Sequence, residues 1–362
     1  MVYIAPVGLA FGPFNSAQNH IFTVVVCFIY LVSKIHDKFN PLIILLWESI
    51  IVIAAYTGKF GFIDFAIIPI VGELIKHRKC VIQTILKGNL LYYCIIFSAL
   101  YSVIFPYIGV GGRGEGSLGS GVVFTAIGEI NLSGLSLFCL GLLTLKKNQY
   151  IGIAVLAFGM LTLSRSYLLA LACFFLFDRS ALKRFVSRHL RLFTYLNLTL
   201  ISVVFLYCLG LVEIALYHDG DIIAHSTNAG FLRLFSFNDY SNYYRFLANY
   251  LIVAIMCANP VFMLKGMSNA NYFFFGSAIS GFKGISFTGI GPHNIFFSHL
   301  KLYGIWVFIE ILLVSKYLKR IVSADNFGIY MAIFLYGVIL GTGLYNYWLF
   351  LSAITLILYE AA

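Results

Sequence analysis

Long apolar runs recur along almost the whole chain and are separated by short polar turns. A membrane-spanning helix needs about 20 predominantly apolar residues. On that measure the pattern predicts spans near 20–33, 39–57, 60–75, 86–108, 122–145, 149–163, 167–177, 193–217 and 296–315. The stretch 327–360 is too long for one helix and is broken near the Leu344–Tyr347 sequence LYNY, so it reads as two. Residues 1–14, interrupted by Pro and Gly, supply a further span or none. The expected fold is therefore an all-α polytopic membrane protein with about 11–12 transmembrane helices. It divides into an N-terminal transmembrane bundle (1–217), a long connection (218–295) and C-terminal transmembrane helices (296–362), forming a single integral membrane domain.

The connection is the longest polar interruption, yet it holds the apolar segment ANYLIVAIMCANPVFML (248–264). This is short and broken by Asn-Pro, which suits an amphipathic or re-entrant helix at an interface. Composition strengthens the membrane reading. Of 362 residues, 61% are hydrophobic and 10% charged, where soluble domains carry about a quarter charged. No separate soluble catalytic domain fits into such a chain, and no stretch reads as a cleavable secretory signal. The seven cysteines lie in or beside apolar runs without a CxxC pair and read as packing residues.

The net charge of +10 suggests nucleic acid until the charges are located. Sixteen of the 24 Lys and Arg residues fall in one alternating set of loops: 34–38, 76–87, 146–147, 179–191 and 316–320. By the positive-inside rule that set is cytoplasmic. The positive charge is then a topology signal, and the connection 218–295 lies outside.

Cations retained on the charge-poor outer side call for a reason. Arg165 stands in LTLSRSYLLAL, Arg245 in SNYYRFLANYL, Arg113 in GGRGEGSLGSG and Arg233 in GFLRLFSF. Taken singly, each can snorkel to lipid headgroups. Converging on one cavity, their planar forks would clamp phosphate. His293 sits in GIGPHNIFFSHLKLYG, where Asn294 is placed to cap the following helix. It is either a turn residue or, with a pKa near neutral, a general base. Tyr243, Tyr244 and the aromatics of NYFFFG are suited to stacking on sugar rings.

Other patterns carry less. GEGSLG (114–119) fits GxGxxG but lacks a βαβ context. Asp219 and Asp221 in HDGD read as a solvated turn rather than a metal site. His293 and His299 are not spaced as an i,i+4 metal pair. No metal or cofactor is expected. Glu48, Glu129 and Glu310 lie in apolar runs; they fit inter-helix hydrogen bonds or, in a rival class, a proton-coupled transporter.

Taken in order, these segments resemble the bacterial O-antigen polymerases (Wzy-type) and O-antigen ligases. LTLSRSYLLAL is similar to the family's Ser-Arg segment, with its arginine at Arg165. YYRFLANYLIVAIMCANPVFMLKG is similar to the external-loop pattern, with Arg245, Pro260 and Gly266. HNIFFSHLKLYG matches His-Asn, nine residues, Gly, with His293, Asn294 and Gly304; Val307 departs from the Gly, Thr or Tyr of the family. The resemblance implies a GT-C-like, metal-independent glycosyltransferase of the bacterial inner membrane, with its active site facing the periplasm. His293 would be catalytic, Arg165 and Arg245 pyrophosphate-binding, and Arg113, Arg233, Asn294, Tyr243 and Tyr244 candidates for substrate contact. Its substrates would be undecaprenyl-pyrophosphate-linked oligosaccharide repeats, and a chain-length regulator in the same membrane is a candidate partner. The modest outer loops, with no large basic surface for a phosphorylated core, favour a polymerase. The alternatives are a ligase that transfers glycan to lipid A-core and a transporter of lipid-linked sugar.

Overall fold

The computed structural model describes residues 16–33, 41–57, 65–89, 130–160, 165–178, 181–186, 240–282, 294–309, 319–340 and 345–360, with isolated positions between them. The principal helices in these stretches number thirteen, with a further helical turn at 181–186, and the described residues hold no strand. They are α1 (Ser16–Ser33), α2 (Pro41–Thr57), α3 (Ile67–Lys76), α4 (Arg78–Lys87), α5 (Ile130–Leu145), α6 (Gln149–Met160), α7 (Arg165–Phe177), α8 (Tyr240–Ala258), α9 (Val261–Lys265), α10 (Asn269–Phe282), α11 (Ile295–Tyr303), α12 (Phe327–Leu340) and α13 (Tyr345–Glu360). The expected stretches at 1–14 and 193–217 lie outside the described residues.

Among the described residues no helix is long and apolar enough to cross a membrane. At 1.5 Å per residue, the 18 residues of α1 reach about 27 Å. The 12 of α6 reach about 18 Å, against a hydrocarbon core of about 30 Å. The longest, α8, has 19 residues but begins with a polar first turn. Elsewhere the structure refines the expected boundaries. His77 separates α3 from a second helix, α4, in a stretch read as a cytoplasmic loop. The apolar stretch 327–360 is indeed two helices, α12 and α13. The run 296–315, expected to be one continuous span, is broken at Gly304.

The chain divides into two compact units. The first comprises 1–188, 312–336 and 344–362. Its centre is the antiparallel pair α5–α6, turned by Lys146–Asn148. The Asn148 side chain caps α6 by accepting from the Tyr150 and Ile151 amides at 3.1 and 3.2 Å. Gly152 lets the two helices close: a Cβ there would lie 2.4 Å from the Leu145 Cα. Helix α13 packs on α5 and on α3 and α4, burying Leu351, Ile354 and Ile357, and the Tyr359 hydroxyl donates to the Leu142 carbonyl at 2.9 Å. Buried Asn326 donates to the Leu356 carbonyl at 3.1 Å and accepts from the Ser323 amide at 2.8 Å, fixing the entry to α12.

Two further features of this unit matter below. Helix α2 is apolar nearly all round yet leaves Leu42 (70%), Ile51 (62%) and Val52 (66%) exposed, together with Glu48. Where the ends of α5, α7 and α13 meet, Lys183 bridges Asp178 at 2.8 Å and Asp325 at 3.8 Å. Lys146 lies 4.4 Å over the Tyr359 ring. These groups and Gln149 line a polar cavity of about 400 Å³.

Candidate functional site

The second unit comprises 189–311 and 337–343. It is organised by α8, whose apolar positions recur at helical spacing: Leu247, Leu251 and Ile255, with Ile252 and Met256 beside them. These pack on Phe262, Met267, Tyr272 and Phe297, so that α9, α10 and α11 close around one core. Pro260 ends α8 and opens the single turn of α9, because proline cannot continue the hydrogen-bond ladder but fits at a helix start.

The link between α9 and α11 is made by two glycines. Gly266 has φ 66° and ψ −179°, and Gly304 has φ 61° and ψ −141°. Both conformations are essentially restricted to glycine. Each glycine also lies against the other's strand of backbone. A Cβ on Gly266 would stand 2.2 Å from the Leu302 carbonyl oxygen, and one on Gly304 2.2 Å from that of Met263. Two hydrogen bonds complete the junction, from the Met267 amide to the Lys301 carbonyl at 2.6 Å and from the Ile305 amide to the Met263 carbonyl at 2.7 Å. Gly304 therefore stops α11 where the hydrophobic pattern continues.

At the other end of α11, Asn294 is buried and acts as the N-cap. Its side-chain oxygen accepts from the Phe296 amide at 2.8 Å and the Phe297 amide at 3.3 Å, satisfying two donors that a helix start leaves open. The Ser298 hydroxyl donates back to the Pro292 carbonyl at 3.0 Å. The chain is thus tied at Pro292 and at Asn294; His293 lies outside the described residues. His299 is buried, with its ring edge-on to Tyr303 at 5.3 Å between centroids.

The other expected site residues fall as follows. Arg245, Tyr243 and Tyr244 lie in the opening turns of α8, in the same unit as Asn294. Arg165 is the first residue of α7, in the first unit. Arg113, Arg233, Asp219, Asp221, Glu129 and Glu310 lie outside the described residues. No group of three or more His, Cys, Asp or Glu able to hold a metal occurs among the described residues. What the sequence does not announce is α10. Its Tyr272 is fully buried, and its phenol donates to the Ala248 carbonyl at 3.4 Å, one turn beyond Arg245. Burial pushes the Tyr272 pKa up, so the phenol stays neutral. The Tyr272 ring and the Asn269 amide receive Lys301.

Comparison with protein-family models, with curated proteins and with solved structures finds no match for this chain.

Proposed function

We propose that the protein is an O-antigen polymerase, a GT-C-like glycosyltransferase of the bacterial inner membrane acting at its periplasmic face. It joins undecaprenyl-pyrophosphate-linked oligosaccharide repeats. The observation that carries the reading is the Gly266–Gly304 junction, which docks the segment bearing Arg245 and Pro260 onto the helix capped by Asn294. These are two of the three segments on which the family resemblance rests, and both of their framework glycines are needed for the docking. Membrane embedding is supported by the composition and by the exposed apolar face of α2, since soluble monomers seldom leave so much apolar surface uncovered.

In this reading an acceptor sugar hydroxyl attacks the anomeric carbon of the donor from the face opposite the leaving group, inverting its configuration. His293 accepts the hydroxyl proton as the new C–O bond forms. The bond from the anomeric carbon to the pyrophosphate oxygen breaks, and its electron pair leaves with the lipid pyrophosphate. Arg165 and Arg245 stabilise that growing charge through paired N–H donors.

The test is polymer formation by the purified protein from lipid-linked repeats. His293→Ala is expected to lower the rate about 10²–10⁴-fold. Arg165→Lys and Arg245→Lys are expected to lose most activity, because lysine keeps the charge but not the fork. Chelators are expected to have no effect. Wild-type rates in His293→Ala and in both lysine variants would overturn the proposal.

A further inference from the structure

Lys301 lies in α11 and is only 8% exposed. Its ammonium donates to the Asn269 side-chain oxygen at 2.7 Å and stands 5.0 Å from the centre of the Tyr272 ring. Among the described residues it has no carboxylate within ion-pairing distance. An amide oxygen and a ring face orient an ammonium and occupy two of its three donor directions, but neither carries a compensating negative charge. A cation withdrawn from water is costly unless paired, and the lysine stem alone, which could cover Tyr272 as an apolar chain, does not explain the charge at its end.

The surroundings tie Lys301 to the elements that carry Arg245 and Asn294. Tyr272, on which the ammonium rests, is bonded through its hydroxyl to Ala248 of α8, one turn from Arg245. The Lys301 carbonyl is itself part of the Gly266–Gly304 junction. Lys301 is therefore fixed from three sides within the same packed unit that carries Arg245 and the Asn294 turn.

We propose that Lys301 is a further donor-binding residue, whose ammonium, aimed by Asn269 and Tyr272, takes one phosphate of the lipid-linked pyrophosphate. This rests on the transferase reading above and adds to it a third cation, of a different kind: a point charge rather than a fork.

The experiment uses the full-length protein in nanodiscs of phosphatidylethanolamine and phosphatidylglycerol, with two measurements. The first is binding of undecaprenyl pyrophosphate, which needs no sugar transfer. The second is polymer formation as a function of donor concentration. Lys301→Met is expected to weaken undecaprenyl pyrophosphate binding about tenfold or more and to raise the donor KM more than it lowers kcat. Lys301→Arg is expected to recover most of the affinity, and Asn269→Leu to fall between. Unchanged binding and KM in Lys301→Met, with wild-type polymer formation, would overturn the role of Lys301 and leave the transferase reading standing. Equal loss in the Met and Arg variants, with a lowered melting temperature in both, would also overturn it, because the stem would then be structural. Weakened lipid binding in Lys301→Met, in a protein whose wild type forms no polymer, would support the anion site and sink the transferase reading instead.

Discussion

Lys183 and Lys301 are both lysines that join helices, and they do so in opposite ways. Lys183 reaches two aspartates, Asp178 and Asp325, all of them partly open to solvent. Lys301 is buried and reaches an amide and an aromatic ring. The first cation is matched and accounted for by the fold. The second is oriented and, among the described residues, has no carboxylate beside it. A matched pair in water stabilises only weakly, so its role is to register chain segments. On the proposal above, the second cation acts when an anion arrives.

The comparison is broken most severely by removing the scaffold that orients Lys301. Gly266→Ala or Gly304→Ala places a Cβ against a carbonyl oxygen in a glycine-only conformation. Each is expected to destabilise the α9–α11 junction by about 3 kcal/mol or more, seen as a lower melting temperature and new protease cleavage between 258 and 305. Unchanged melting in both variants would show that the junction is not needed to hold α11. A milder break is Asn294→Ala, which removes the N-cap and is expected to cost about 1–2 kcal/mol; Asn294→Ser should recover most of it. Thermal unfolding of the two variants side by side checks this.

The smallest effects are expected at the matched cluster. Lys183→Met should change stability by no more than about 1 kcal/mol, and a larger loss would make this clasp a core element. Lys146 sharpens the point through pH. Burial, then the neighbouring Lys183 charge, holds its pKa below the ordinary lysine value, against the opposing pull of Asp178 and Asp325. The folded state therefore disfavours the charged form. That penalty is fully present at neutral pH and fades as pH rises toward the unfolded lysine value of about 10.4. Lys146→Met is expected to raise the melting temperature slightly at pH 7, with the gain shrinking near pH 10. An equal gain at both values would assign it to packing.

Much of the architecture is legible in the chain because it depends on local chemistry. The all-helical character follows from the apolar runs, the division of 327–360 from its length and the break near LYNY, and the α11 cap from the Asn at its head. Other features escape for physical reasons. Hydropathy takes no account of φ, so LYGIWVF reads as continuous although Gly304 stops the helix within it. The aromatic run of α10 suggests a platform for sugars, yet its residues divide: Tyr272 is buried while Phe274 is 71% exposed, a distinction made only by packing against α8. The importance of Lys301 is hidden for the same reason, since a charge tally counts it without saying what faces it. The candidate site is legible as a set of residue types at the expected motifs, but which of them meet is a tertiary question that spacing does not answer.

The paired glycines also set the unit in which this part of the protein can be exchanged. Because each backbone fills the space that a side chain on the other would need, 240–266 and 294–305 are halves of one template. Transplanting either half alone into a foreign scaffold would leave a groove without its ridge. A chimera that exchanges this region has to carry both segments, with the helix between them, as a single heritable cassette.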